Sequence, residues 1–479
     1  MEVESLIGLP VYPSSVVEAD GTTYFMVSNK GARCLGVLGD VTGFEGTRHG
    51  ESGALLCSLT PDNAVALRTR LPWLSPVPLG RRTSAGFGDR LGLATPGHVR
   101  AARGTSVAPV FAQQSVRENA RTGRTPQQVV DEAMWGVFEE GWREPWGADA
   151  DHLKTPADVD AFVAAGYTFY TIDPGDHVDN AAQADSEPVL LKKVAALPWD
   201  ALESSPEALY QAFLGQPVSL DDFTLAFDEI TLLRAAVKYG RAVAHTAAMY
   251  RHLAASLGDK PFELEVSVDE TETPTSVHEH FYVASELWRL GVAWVSLAPR
   301  FVGQFEKGVD YIGDLAAFEA ELTRHAAVAR YFGGYKLSLH SGSDKFSVYP
   351  VVARHTGGAV HLKTAGTSYL EALRVMAKAE PEFFGQILAL ARERYEMDRV
   401  TYRVSAQLAR VPSPDALSDA DLPHLLEQFD ARQVLHVTFG SVMDRFGERL
   451  REALVVHSEA YYAALVTHFK KHLSCFVEG

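Results

Sequence analysis

From Arg81 onward the chain alternates short β-forming runs with helical stretches, and no other feature constrains its fold as much. Eight runs suit strands: 84–87, 107–111, a weak one ending at Gly147, 168–172, 262–268, 293–297, 335–339 and 359–362. Helical periodicity follows most of them, over 126–141, 156–165, 277–290, 314–331 and 368–379. Strand–helix alternation implies a parallel sheet, and eight units over about 280 residues fit a (β/α)8 barrel of the TIM type, within an α/β class. The competing doubly wound sheet calls for a glycine-rich phosphate turn. Neither GxGxxG nor GxxxxGK[ST] occurs in the chain.

The flanks read differently. Residues 1–80 hold short β-rich runs such as 22–28 and 34–38, broken by Gly, Asn and Asp, and predict a small β-rich region. The proline-containing stretch 71–78 reads as a stiff linker into the barrel at 81–380. The segment from about 180 to 255 is too long for one crossover and predicts a helical insertion. The tail, 381–479, is helical.

Hydrophobic residues make up 46% and charged residues 22%, so a packed core is expected. Lys plus Arg is 44 and Asp plus Glu is 61, a formal charge of −17. That balance gives no general attraction to nucleic acid or anionic lipid, while a local basic cluster can still hold a small anion. Cys34, Cys57 and Cys475 lie far apart and form neither a disulfide framework nor a cysteine zinc motif. No run of about 18 apolar residues can span a bilayer, and the start lacks a secretory pattern, so the expected compartment is the cytoplasm. A homo-oligomer stays open.

Barrel enzymes do their chemistry at the C-terminal ends of the strands. On the fifth run, alternation puts Phe262, Leu264, Val266 and Val268 on one face and Glu263, Glu265, Ser267 and Asp269 on the other. The outer face must be apolar to meet helices, so the carboxylates point inward. The seventh run likewise turns Lys336, Ser338 and His340 inward. Buried charges need partners, and a Glu263 or Glu265 pair with Lys336 is the structural expectation. His177 and His340 are metal candidates at two strand ends, with Asp176, Glu265, Asp269 or Gln304 as oxygen donors. His278 and His280, two residues apart near a helix start, read as surface residues. The loop 341–345 offers an anion the backbone of Ser341 and the ammonium of Lys345, with Arg300 and Lys154 as further cations. Gln113 suits a polyol.

Three segments carry a resemblance: 338–350 around His340, 267–274, and 298–307. Together they resemble the tagaturonate epimerase family, from about Ala85 to the C-terminus. The resemblance implies a metal-dependent barrel enzyme that interconverts tagaturonate and fructuronate, with 4-epimerisation of fructose and tagatose as a related activity. It also implies His177 and His340 as ligands, and an acid–base pair from Asp176 and a fifth-strand glutamate. Inward alternation places that glutamate at Glu265, with Asp269 as the other fifth-strand acid. Gln304 is the expected third ligand. Zinc heads the metals such donors accept, with manganese, iron and nickel also suited.

The epimerised carbon lies β to the ketone, so enolisation cannot invert it. A retro-aldol cleavage, rotation of the aldehyde and re-addition can. Transient oxidation by a nicotinamide is the other route, and no dinucleotide motif supports it. A Schiff base on Lys336 or Lys363 offers the retro-aldol step without a metal. A metal aldolase on sugar acids and a non-catalytic sugar-acid binding protein are the competing functions.

Overall fold

The computed structural model describes residues 2–476. Residues up to Arg70 build a five-stranded antiparallel sheet and the helix Pro61–Arg70. The strands are β1 (Val17–Ala19), β2 (Thr22–Asn29), β3 (Ala32–Leu38), β4 (Thr47–His49) and β5 (Ala54–Cys57), in the order β1-β2-β3-β5-β4. Arg33 on β3 reaches Glu139 on a barrel helix at 3.0 Å. The 71–78 stretch packs rather than dangles: Leu71 and Leu74 are buried.

The barrel begins with β6 (Ser84–Gly86), β7 (Ala108–Ser115), β8 (Gly147–Leu153) and β9 (Phe169–Ile172). Between β9 and the next barrel strand lies a hairpin of β10 (Val218–Leu220) and β11 (Phe223–Leu225). The barrel continues with β12 (Glu263–Val268), β13 (Ser296–Pro299), β14 (Lys336–Leu339) and β15 (Val360–Lys363). All eight pair in parallel with their neighbours in chain order, and β15 pairs with β6 to close the ring. Each strand is buried along nearly its whole length, because helices cover the outside and side chains fill the inside.

Seven of the eight expected runs coincide with strands. The weak third one does not end at Gly147 but starts there. Glycine reads locally as a terminator, yet this position needs it for packing. A Cβ at Gly147 would lie 2.9 Å from Leu79 Cδ1 and 3.2 Å from Val110 Cγ2.

The helices start where the sequence supplies caps. Thr155 and Ser276 accept hydrogen bonds from the third residues of Pro156–Ala165 and Val277–Arg289, and Asp158 and Glu279 return them. The expected 180–255 insertion divides in two. Its first part holds short helices and the β10–β11 hairpin. Its last part is Glu229–Leu257, a helix packed between Pro156–Ala165 and Val277–Arg289 as an ordinary member of the barrel's outer ring.

The tail is helical in Pro381–Asp398, Phe429–Val437, Phe439–Val456 and Ser458–Leu473. Ser458–Leu473 packs on Thr95–Ala102 and Thr367–Ala379 of the barrel. Between the first two tail helices the chain runs irregularly, and Thr401, Tyr402 and Arg403 come to lie over the C-terminal strand ends. No helix among the described residues is long and apolar enough to cross a membrane.

Candidate active site

The inward-facing positions of β8, β9, β12, β14 and β15 converge on Lys363. Its ammonium lies 3.0 Å from Asp149, 2.6 Å from Asp151 and 2.8 Å from Glu265, and donates to Thr171 Oγ1 at 2.7 Å. Burial works against that charge, but the three carboxylates hold the lysine well above its usual value. Glu265 is fully buried and saturated: Oε1 meets His340 Nε2 at 2.6 Å, and Oε2 accepts from Ser296 at 2.6 Å. The expected partner, Lys336, instead donates to Ser84 Oγ at 3.0 Å, and Glu263 accepts from the backbone of Gly80. Lys336 sits one layer too deep to reach the strand ends.

Above this layer lies a cavity of about 300 Å³. Asp151, His152, Asp269 and His340 line its floor, and Arg90, Arg117, Arg300 and Lys307 its walls. His340 Nδ1 lies 3.0 Å from Asp269 Oδ1, and the His152 ring meets the His340 ring edge-on with centroids 5.0 Å apart. His152 Nδ1 also stands 3.2 Å from Asp173. Local backbone aims this residue: the β8–β9 register shifts between Ala150 and Leu153, and His152 has φ +56°. Bulges and left-handed residues of this kind re-aim side chains at sites. Gly86 has a related role, because a Cβ there would lie 2.7 Å from the Gln113 amide and push it out of the cavity wall.

Burial penalises the charge of both imidazoles, yet carboxylates overcome it. Asp151 and Asp173 raise His152 to about 9, and Asp269 and Glu265 raise His340 to about 10. The floor is thus an electronegative pocket that stabilises added positive charge. The donor atoms of His152, Asp269 and His340 all lie within 4.8 Å of one another, and His340 Nδ1 is buried without an aligned hydrogen bond. Two imidazoles and a carboxylate in such a field fit a divalent cation.

Of the residues expected from sequence, the cavity brings together Gln113, Asp269, Arg300, Gln304, Ser341 and His340, with Glu265 directly beneath. Gln304 sits on the rim, its backbone bridged to Ile312. Four others lie elsewhere. His177 stacks on His245 at 4.0 Å in the turn after β9, so it does not share donors with His340. Asp176 in the same turn is 71% exposed and pairs with Lys154 at 2.9 Å. The turn Gly175–His177 carries both residues outward from the barrel mouth. Lys345 points away from the cavity and donates to the backbone carbonyls of Glu306, Val309 and Ser343, which ties two loops together.

Asp151 and His152 lie past Gly147, which reads locally as the end of the third run. The pattern was present, since Ala148 and Ala150 alternate with Asp149 and Asp151. His280 is not a surface residue. It is buried, with Tyr335 Oη at 2.6 Å and His325 Nδ1 at 2.8 Å, because its face of Val277–Arg289 turns toward the sheet. His278 stays on the half-buried side.

A closed parallel barrel with acids, imidazoles and a cation-binding pocket at its C-terminal strand ends defines a (β/α)8-barrel enzyme. A family model described as UxaE, tagaturonate epimerase, matches residues 12–476. The chain is 44% identical over 479 residues to the tagaturonate/fructuronate epimerase of Thermotoga maritima, covering 98% of each protein. It matches the one-glycerol crystal structure of fructuronate-tagaturonate epimerase UxaE from Cohnella laeviribosi with a TM-score of 0.94, at 38% identity over 99% of both chains. The native crystal structure of that protein matches with the same TM-score at 37% identity, over 99% of this chain and 98% of the other. The chain belongs to the tagaturonate epimerase family, and it is an isomerase of the epimerase kind.

Proposed function

We propose that the protein interconverts tagaturonate and fructuronate by retro-aldol cleavage and re-addition, with a divalent cation at His152, Asp269 and His340. The observation that carries the substrate is full-length relatedness to the Thermotoga maritima epimerase. When bound, the cation would supply Lewis acidity toward the ketone and neighbouring hydroxyl oxygens.

The remaining work falls to the chain's own side chains. Glu265 holds His340 from below, and Asp173 holds His152 from the side. Asp151 and Glu270 are the carboxylates left to move the proton. Asp151 has one oxygen on Lys363, while among the described residues the other meets only Gln113 Nε2, at 3.5 Å. Glu270 reaches the same cavity and pairs loosely with Arg117 at 3.7 Å. One carboxylate takes the hydroxyl proton as the carbon–carbon bond breaks. After the aldehyde turns over, the other, which begins protonated, gives its proton to the re-formed alkoxide, so the two carboxylates end with exchanged protonation states and the reverse reaction restores them. A second group is needed because the oxygen emerges on the opposite face. Lys363 favours this route over a Schiff base: three carboxylates keep it charged, and a nucleophilic amine must be neutral. The roof of Thr401, Tyr402 and Arg403 helps retain the cleaved aldehyde long enough to recombine.

An NMR time course tests the reading. Protein stripped with EDTA is given Zn²⁺, Mn²⁺ or Ni²⁺ and incubated with fructuronate or, separately, fructose. Metal-restored tagaturonate supports the proposal. Accumulating three-carbon fragments would mark an aldolase, and binding without turnover would mark a sugar-acid binding protein.

A further inference from the structure

We propose that Lys307, seconded by Arg117, is the anchor for the substrate carboxylate and sets the preference for hexuronates over neutral ketoses. This rests on the epimerase reading above.

The other cations lining the cavity already have partners. Lys363 is held by three carboxylates. Arg90 donates through two nitrogens to Glu118, at 2.7 and 3.0 Å. Arg300 and Arg403 both donate to the Thr271 carbonyl. Lys307 lines the same cavity, and no hydrogen bond or ion pair engages its ammonium among the described residues. Arg117 is half-engaged. Its contact with Glu270 is 3.7 Å, and its Nε is buried without a hydrogen-bond partner.

An unpaired ammonium beside an underused guanidinium is unfavourable in the free protein. Burial comes first among the influences that depress the Lys307 charge, repulsion from Arg117 and Arg90 adds to it, and attraction to Glu118 and Asp151 offsets only part of the loss. A folded site keeps such an arrangement when a ligand supplies the missing anion. A carboxylate fits both groups: the guanidinium offers N–H donors with directional geometry, and the ammonium a point charge. A neutral ketose carries a hydroxymethyl group at that end and would leave Lys307 unpaired. Sites built for a charged group reject analogues lacking it for that reason.

The test measures kcat and KM for fructuronate and for fructose in the metal-loaded wild type, Lys307→Gln and Lys307→Arg. Loss of one charge-assisted contact should raise the fructuronate KM roughly 10- to 100-fold, with a smaller change in kcat. The fructuronate-to-fructose ratio of kcat/KM should fall with it. Lys307→Arg, which keeps the charge, should recover most of the loss. Competitive inhibition of the wild type supplies a check free of mutation: gluconate should inhibit far more strongly than sorbitol, and Lys307→Gln should narrow that gap. An unchanged fructuronate KM in Lys307→Gln, or equal inhibition by gluconate and sorbitol, overturns the proposal. A wild type that converts neither sugar overturns the epimerase reading instead.

Discussion

Glu265 Oε1 and His340 Nε2 stand 2.6 Å apart at the base of the cavity, both side chains almost fully buried. The other imidazole nitrogen faces Asp269. One contact therefore fixes the orientation of the ring at the strand end. Glu265→Gln keeps the shape and removes the charge. We expect metal affinity to fall by about 10- to 100-fold, as for other groups that orient a ligand from behind. Metal content after dialysis against graded chelator measures it, and unchanged retention would show that Glu265 does not orient the ring.

The donor set makes a sharper prediction. His152→Ala and His340→Ala should each abolish stoichiometric zinc binding and lower kcat/KM by more than about 10³-fold. His177→Ala should retain the metal, because His177 stacks on His245 outside the cluster. Loss of metal in His177→Ala with retention in His152→Ala would reverse the assignment.

Acid should destabilise the protein before its carboxylates titrate. Burial holds His98 and His325 at about 4, against a usual value of 6.5. Below pH 6.5 the unfolded chain takes up protons that the folded chain refuses until about pH 4, so stability falls across that window as the pH drops. Each residue contributes about 1.4 kcal/mol per pH unit at most. Thermal melts of chelator-treated protein from pH 7 to pH 4 should show the slope, and His325→Gln should flatten it. A flat wild-type profile would contradict the assignment.

The tail is fastened to the barrel by a buried ion cluster. Asp344 lies 3.0 Å from Arg432 and 2.7 Å from His468, and its backbone N–H donates to His472 at 2.9 Å. Asp344 has φ +61°, which asparagine tolerates, so Asp344→Asn isolates the charge from the backbone. Leaving Arg432 buried without its counter-charge should cost about 3–5 kcal/mol in denaturant unfolding. A loss below about 1 kcal/mol would mean water reaches the guanidinium.

Local pattern made much of this protein legible. Alternation on β12 and β14 correctly sent Glu265, Asp269, Lys336 and His340 into the barrel, because side chains on a strand must alternate and only the inner face can hold charge. It could not rank Lys336 against Lys363, since both point inward and only depth separates them. It also missed the arm bearing Asp151 and His152. Gly147 looks like an end unless the packing of Leu79 and Val110 against it is known.

What the sequence determined by itself is periodicity: eight strand–helix units, a parallel barrel, and acids and imidazoles at the strand ends. Which ends meet is a property of closure. Lys363 finds Asp151 across 212 residues of chain, and His340 finds Glu265 across 75. Those pairings depend on strand register, on a bulge that turns His152 inward, and on a turn that carries His177 away. A local pattern sets the direction of a side chain relative to its own strand. Distance between strands is set only when the ring closes and the core packs.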